Sequence, residues 1–221
     1  MGTKTGKYYF TQARLLRGLL IGCLAIVLPH CGKRQNKKLA LSHYKMSILE
    51  LGGLGSPLIA RRKALCSINK ALEQSVQPHY LAHKATLLFL LGDRAQSKAC
   101  FKHALALESN PSVRAEITNN YACLLASGTS DTRAVDTSAV ARQSKRALRL
   151  FAQLVRSKHY LTPEVALVNM AKIYADHGKY GRAKKKLMRA VALAPDYTAA
   201  HRYLQQVCQK LDQQVVVARG G

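Results

Sequence analysis

The sequence predicts an all-α solenoid of stacked helix pairs, and three observations lead there. The 221 residues are 48% hydrophobic but only 6% aromatic, with no Trp. Ala, Leu, Lys and Arg dominate, and only six Pro and 14 Gly interrupt them, which is a helical composition. It excludes a disordered or collagen-like chain and lacks the β-branched runs and turn clusters of a sandwich or barrel. Second, small, aromatic and Pro residues return with a period of about 34 residues. Third, Gly and Pro stand at the ends of apolar helical patterns, where they stop helices without breaking them.

The elements follow in order along the chain. Residues 1–17 carry Lys4, Lys7, Arg14 and Arg17 and no acid, and Gly18–Leu28 is an uncharged apolar run. A spanning helix needs about 20 apolar residues, so this run is too short, whereas a basic start plus a short apolar core is how an export signal reads. Residues 1–30 are therefore expected to be a signal peptide. Leu28-Pro29-His30-Cys31 resembles a bacterial lipobox, with His30 in place of the usual small residue. That makes Cys31 the expected lipid-attachment site, with Cys23 in Leu20-Ile21-Gly22-Cys23 as the alternative. A basic linker over 31–40 follows, with Lys33, Arg34, Lys37 and Lys38.

The repeats fill residues 41–213. Ile68, Ala71, Leu72 and Pro78 return 33 residues later as Phe101, Ala104, Leu105 and Pro111. The last unit, 164–197, runs Leu167, Met170-Ala171, Tyr174, Gly178, Tyr180, Ala183, Leu187, Ala190, Pro195. This is the helix–turn–helix signature of the tetratricopeptide repeat (TPR). Ala171, Ala183 and Ala190 fall where paired helices cross closely, Gly178 ends the first helix and Pro195 follows the second. The same pattern gives units at about 41–77, 78–111 and 115–163. Insertions are expected after Gly52 in the first unit and around Gly128–Arg133 in the third. Residues 198–213 read as a capping helix and 214–221 as a loose tail. The expected product is about four helix–turn–helix repeats plus a C-terminal capping helix.

No catalytic motif, phosphate-cradling loop or HExxH is present, so the chain is expected to be non-enzymatic and to need no cofactor. His79 and His83 have metal-ligand spacing on one helix, but two imidazoles without a third ligand rarely close a site, and no metal is expected. The six cysteines form no CxxC pair, and Cys66 and Cys100 read as small buried thiols. A net charge of +24 admits nucleic acid, anionic lipid or an acidic protein as partner. The runs Arg61-Arg62-Lys63 and Lys184-Lys185-Lys186 lack interleaved aromatics that could stack on bases, and read as solvated faces. With an export signal ahead of them, nucleic acid is disfavoured.

In a TPR unit the first helix lines the groove, at unit positions 2, 5, 6, 9, 12 and 13. The candidate protein-binding residues are His79, Thr86 and Phe89 in the second unit, Glu116, Asn119 and Asn120 in the third, and Asn169 and Lys172 in the fourth. Cys123, Ala126, Ser127, Val168 and Asp176 occupy further groove positions. Side-chain amides both donate and accept, so Asn120 and Asn169 suit an extended peptide backbone; the competing reading is that they bridge neighbouring helices.

The order NNYACLLAS, RALRLFAQLV, then HYLTPEVALVNMAKIYADHGKYGRAKKKLMRAVALAPDY, behind a signal ending near Cys, resembles the type IV pilus biogenesis/stability TPR lipoproteins, the PilF/PilW pilotin family. Ala122 stands where that family has Gly, and the third-unit insertion and strong positive charge also depart from it. The resemblance implies a lipid-anchored protein of the outer membrane, facing the periplasm, that binds the pilus secretin and assists its assembly. The alternative is a basic cytoplasmic TPR-like module that binds RNA or an acidic protein.

Overall fold

The computed structural model describes residues 36–52, 56–128 and 137–220. The expected signal at 1–30, the lipid-bearing Cys31 or Cys23, and most of the third-unit insertion lie outside them. The described residues form nine helices and no strand. These are α1 (Lys37–Leu51), α2 (Pro57–Gln74), α3 (Pro78–Leu90), α4 (Arg94–Leu107), α5 (Pro111–Ala126), α6 (Thr137–Arg156), α7 (Pro163–Asp176), α8 (Tyr180–Leu193) and α9 (Thr198–Gly220). Each odd-numbered helix up to α7 pairs with its successor, α9 closes on α8, and α3, α5 and α7 also touch in turn.

Local chemistry sets the helix ends. Pro opens α2, α3, α5 and α7, where its fixed φ suits a first turn and its missing N–H is not needed. Asp93 caps α4 by accepting twice from Gln96, from its backbone N–H at 3.0 Å and from its side-chain amide at 2.6 Å. Gly92 (φ 91°) and Gly178 (φ 68°) end α3 and α7 in the left-handed conformation. Around each, the following N–H bonds back five residues, Asp93 to Leu88 and Lys179 to Tyr174, which satisfies the last carbonyls.

Each pair is held by small residues at the crossing. Ser47 meets Ala64, Ala85 meets Ser97, and Ala122/Ala147 and Ala171/Ala183 hold the same places in the later units; all are fully buried. The two serines satisfy their hydroxyls across the crossing: Ser47 Oγ donates to the Ala64 carbonyl and Ser97 Oγ to the Ala85 carbonyl, each at 2.7 Å. Larger side chains fill the layers between pairs, with Phe101, Phe151, Leu167 and Leu187 in one cluster and Ile68, Tyr80 and Leu87 in another.

Several boundaries differ from the sequence expectation. Residues 37–40 of the expected linker are the first turn of α1, because Asn36 Oδ1 accepts from the Leu39 N–H at 3.0 Å and Ala40 is fully buried. The third unit opens at Pro111 rather than about 115, where Asn110 caps the added turn through the N–H groups of Ser112 and Val113. Helix α6 runs 20 residues where α4 and α8 run 14, so the unit is enlarged on its second helix. The expected loose tail continues α9 to Gly220, since no Gly or Pro interrupts the chain before it. Cys66 is exposed on the outer side of α2, opposite the Ala64–Ile68–Ala71 face, and is not a buried thiol.

His83 enters the α1–α2 crossing from α3, with Nε2 3.0 Å from Ser47 Oγ. The single Ser47 proton goes to the Ala64 carbonyl, so His83 must donate from Nε2, which fixes its neutral tautomer. Burial lowers its pKa below the ordinary 6.5, and the more exposed His79 shifts the same way, mainly through burial and against the Glu108 charge.

Overpacking the crossing with Ala183→Leu or Ala190→Leu should destabilise by about 1–3 kcal/mol in chemical denaturation. At Gly178 an added Cβ would meet no atom within 4 Å, so Gly178→Ala should cost only the left-handed backbone penalty, about 1 kcal/mol, read in the same titration. The unfolded chain binds the His83 proton more tightly than the folded one. The contribution of neutral His83 is therefore complete above about pH 6.5 and lost as pH falls through its lowered folded pKa. His83→Gln keeps a donor near the Nε2 position and should flatten melting temperature against pH below 6.5; an unchanged slope would place the titration elsewhere.

Candidate functional site

The first helices of the pairs, α1, α3, α5 and α7, form one continuous wall, and its two halves differ in chemistry. The N-terminal half is apolar and aromatic. On α1, Leu41, Tyr44, Ile48 and Leu51 recur at helical spacing on one side, with the three aliphatic residues exposed. Tyr44 joins this stripe to α3. Its ring lies edge-on to His79 at 5.3 Å and to His83 at 5.5 Å, and tilted against Tyr80 at 4.8 Å. His79 is exposed, while Thr86 is half-buried and donates to the Ala82 carbonyl of its own helix. Leu90 exposes a further apolar side chain at the end of α3.

The C-terminal half holds a cavity of about 250 Å³. Phe89 comes from α3, Cys123 and Ala126 from α5 with Ser127 at its end, Phe151 from α6, and Asn169, Lys172, Ile173 and Asp176 from α7. Sites that enclose a small molecule span about 300–1,000 Å³. This one is sized for a side chain of a longer ligand. Its wall is braced by Arg94 at the start of α4, whose guanidinium lies 5.6 Å from the Phe89 ring centroid. The same group donates to Ser127 Oγ at 3.0 Å and to the Leu124 carbonyl at 2.8 Å, closing the C-terminal end of α5.

A short ladder of amides runs beside the cavity. Asn169 Nδ2 donates to Asn119 Oδ1 and to Cys123 Sγ, and Asn119 Nδ2 donates to Asn120 Oδ1, all at the long distance of 3.4 Å. The amide that meets Asn169 across α5 and α7 is thus Asn119, and exposed Asn120 joins through its neighbour. Burial pushes the Cys123 thiol pKa up, with the Lys172 charge opposing more weakly, so the sulfur is a protonated acceptor and not a nucleophile.

Of the residues expected to bind a partner, Phe89, Asn169 and Lys172 line the cavity and Asn119 bonds to its wall. Glu116 and Asn120 are exposed farther along α5, and His79 and Thr86 belong to the aromatic half. Val168, at a groove position by register, is buried in the core instead, because α7 turns that side toward its neighbours. Phe151 and Ile173 were not legible as cavity residues, nor Arg94 as the brace of its wall: the first two occupy core positions that also show an edge to the cavity. Tyr44 would have been found by starting the first unit one residue earlier, which puts it at groove position 5. Among the described residues no three His, Cys, Asp or Glu side chains gather as metal ligands, and no helix is long and apolar enough to cross a membrane.

Residues 78–111 and 165–197 each match the tetratricopeptide repeat. No curated protein matches the sequence. Among solved structures, PilW, a widely conserved type IV pilus biogenesis factor, is similar at 21% identity and a TM-score of 0.60, over 76% of this chain and 68% of that one. YrrB, a TPR protein with an unusual peptide-binding site, is similar at 17% identity and a TM-score of 0.52, over 77% and 76%. With the repeat matched at two units and the same small-residue crossing in all four, the chain is an all-α tetratricopeptide-repeat solenoid.

Proposed function

We propose that this chain is a non-enzymatic adaptor that holds an extended segment of a partner protein along its first helices, and that it is an envelope lipoprotein assisting assembly of a type IV pilus or its secretin. The cavity beside the amide ladder carries the binding part. An extended peptide offers a backbone N–H and carbonyl at every residue, and amides aligned on adjacent helices can meet both without depending on its sequence. The cavity then takes one side chain of that segment, and Lys172 and Asp176, one turn apart at its rim, offer both signs of charge. The apolar stripe through Tyr44 extends the same track. YrrB, of like fold, supports peptide capture as a use of this architecture.

The pilus part is supported by the order of sequence blocks and by likeness of fold to PilW. The membrane part rests on the export-like start and on Cys31, with Cys23 as the alternative. Acyl chains there would tether the repeats to the outer membrane and leave the groove facing the periplasm, where a secretin subunit is assembled.

Binding of a purified secretin subunit to the full chain tests the groove. Asn120→Ala with Lys172→Ala should weaken it about tenfold or more. Melting should hardly change, since both are exposed surface positions. Asn169→Ala should weaken binding and also lower stability modestly, because its amide bridges α5 and α7. Equal binding by all variants would overturn the groove assignment. Mass spectrometry of the chain from membranes should find an acylated, shortened form, and an intact soluble chain beginning at Met1 would overturn the lipoprotein reading.

A further inference from the structure

The two ends of the solenoid are finished differently. In the second, third and fourth units one position of the first helix packs on the preceding pair: Leu87 is 0% exposed, Leu124 3% and Ile173 3%. The same position in the first unit is Leu49, two residues after the crossing Ser47 as Leu87 is two after Ala85, and it is 69% exposed. What covers Leu87 is the face of α2 that carries Ala64, Ile68 and Ala71. No described helix covers Leu49. Leu39 and Met46, both exposed, complete the apolar part of this arc of α1, and Lys38, Ser42 and Lys45 complete its polar part. The other end of the solenoid is closed: α9 buries Val207 and turns Gln205, Gln206 and Gln209 outward.

We infer that this end face of α1 seats on an anionic membrane surface. Lys38 and Lys45 are the charged side chains of this arc, and no acid lies in it: Glu50, at its margin, accepts from Ser67 Oγ within the fold. A second copy laid face to face would bring Lys38 and Lys45 against lysines, and the polar face of α9 offers nothing to the leucines. A lipid interface accepts both kinds of group, with ammonium heads at the phosphates, their stems along the apolar side chains, and Leu39, Met46 and Leu49 below them. The inference also draws on the lipoprotein reading: Lys37 is six positions beyond Cys31, and a fully extended chain spans about 3.5 Å per residue, so the start of α1 lies within about 20 Å of the anchor. Face and anchor would then be the two signals that stable attachment requires.

Because the chain contains no Trp, Leu49→Trp gives a single reporter at an exposed position of the full protein. With vesicles of equal parts phosphatidylglycerol and phosphatidylcholine, its emission should shift to the blue and be quenched by lipids brominated on the acyl chains. Phosphatidylcholine vesicles should produce a far smaller change. Adding Lys38→Gln and Lys45→Gln should lower vesicle affinity about tenfold or more. A Gln206→Trp reporter on the opposite end should stay unquenched. Emission from Trp at position 49 that is already blue without lipid would overturn the inference; a concentration dependence would then identify a second copy as the cover, and its absence the chain itself. The anchor is read separately by mass spectrometry. An acylated chain that binds vesicles with the residue-49 reporter unquenched overturns the face and leaves the anchor, while an unacylated chain that still shows quenching does the reverse.

Discussion

The close crossing of two helices within each pair is the constraint on which the rest of the molecule depends. It needs a small residue on both sides, and every unit supplies one: Ser47 and Ala64, Ala85 and Ser97, Ala122 and Ala147, Ala171 and Ala183. Serine is tolerated on either side because its hydroxyl can donate to the backbone carbonyl it faces, so neither hydroxyl is buried without a partner. With the pairs this tight, larger side chains are pushed into the layers between them. Phe101 and Leu167 fill those layers, and the stacking of pairs follows.

That stacking determines where a ligand can sit. The wall of first helices is continuous because each pair places its first helix on the same side, and the cavity opens where α5 and α7 stand beside α3 and α6. Arg94 holds this region together without lining it, clasping the end of α5 and covering Phe89. The large positive charge is mostly elsewhere. Lys184 and Lys185 lie exposed between buried Ala183 and Leu187, so that run is the outer face of α8. The cavity itself presents one amide, an aromatic edge and one charge of each sign.

The repeat was legible in the sequence because its constraints are local. A Gly that must take positive φ, a Pro after a helix and an Ala at a crossing each betray their positions by residue type, as at Gly178, Pro195 and Ala183. What depends on a neighbouring helix was not legible. Helical spacing places Asn120 and Asn169 at equivalent register, but only the packing of α5 on α7 brings Asn119 to Asn169. Val168 fails for the same reason: register puts it at the groove, and the neighbours bury it. Cys66 reads as a core thiol because it sits between Leu65 and Ile68, yet no described helix packs on the side of α2 it occupies. The early start of α1 turned on one cap, Asn36, in a stretch whose lysines read as linker.

Helix α1 shows how much one short segment of a solenoid can be asked to do. Its Ser47 side enters the crossing with α2, its Tyr44 side carries aromatic contacts to α3 and the start of the groove, and its Leu49 side is covered by no described helix. An end helix that faces only water needs a polar outer surface, and α9 has one. Helix α1 has apolar side chains on all three of these sides, with lysines along one edge, which is the wrong finish for water and the right one for an interface that is apolar beneath and negatively charged on top. The asymmetry of the two ends therefore gives the solenoid a direction: one end suited to a surface, and a groove that runs away from it toward a capped end.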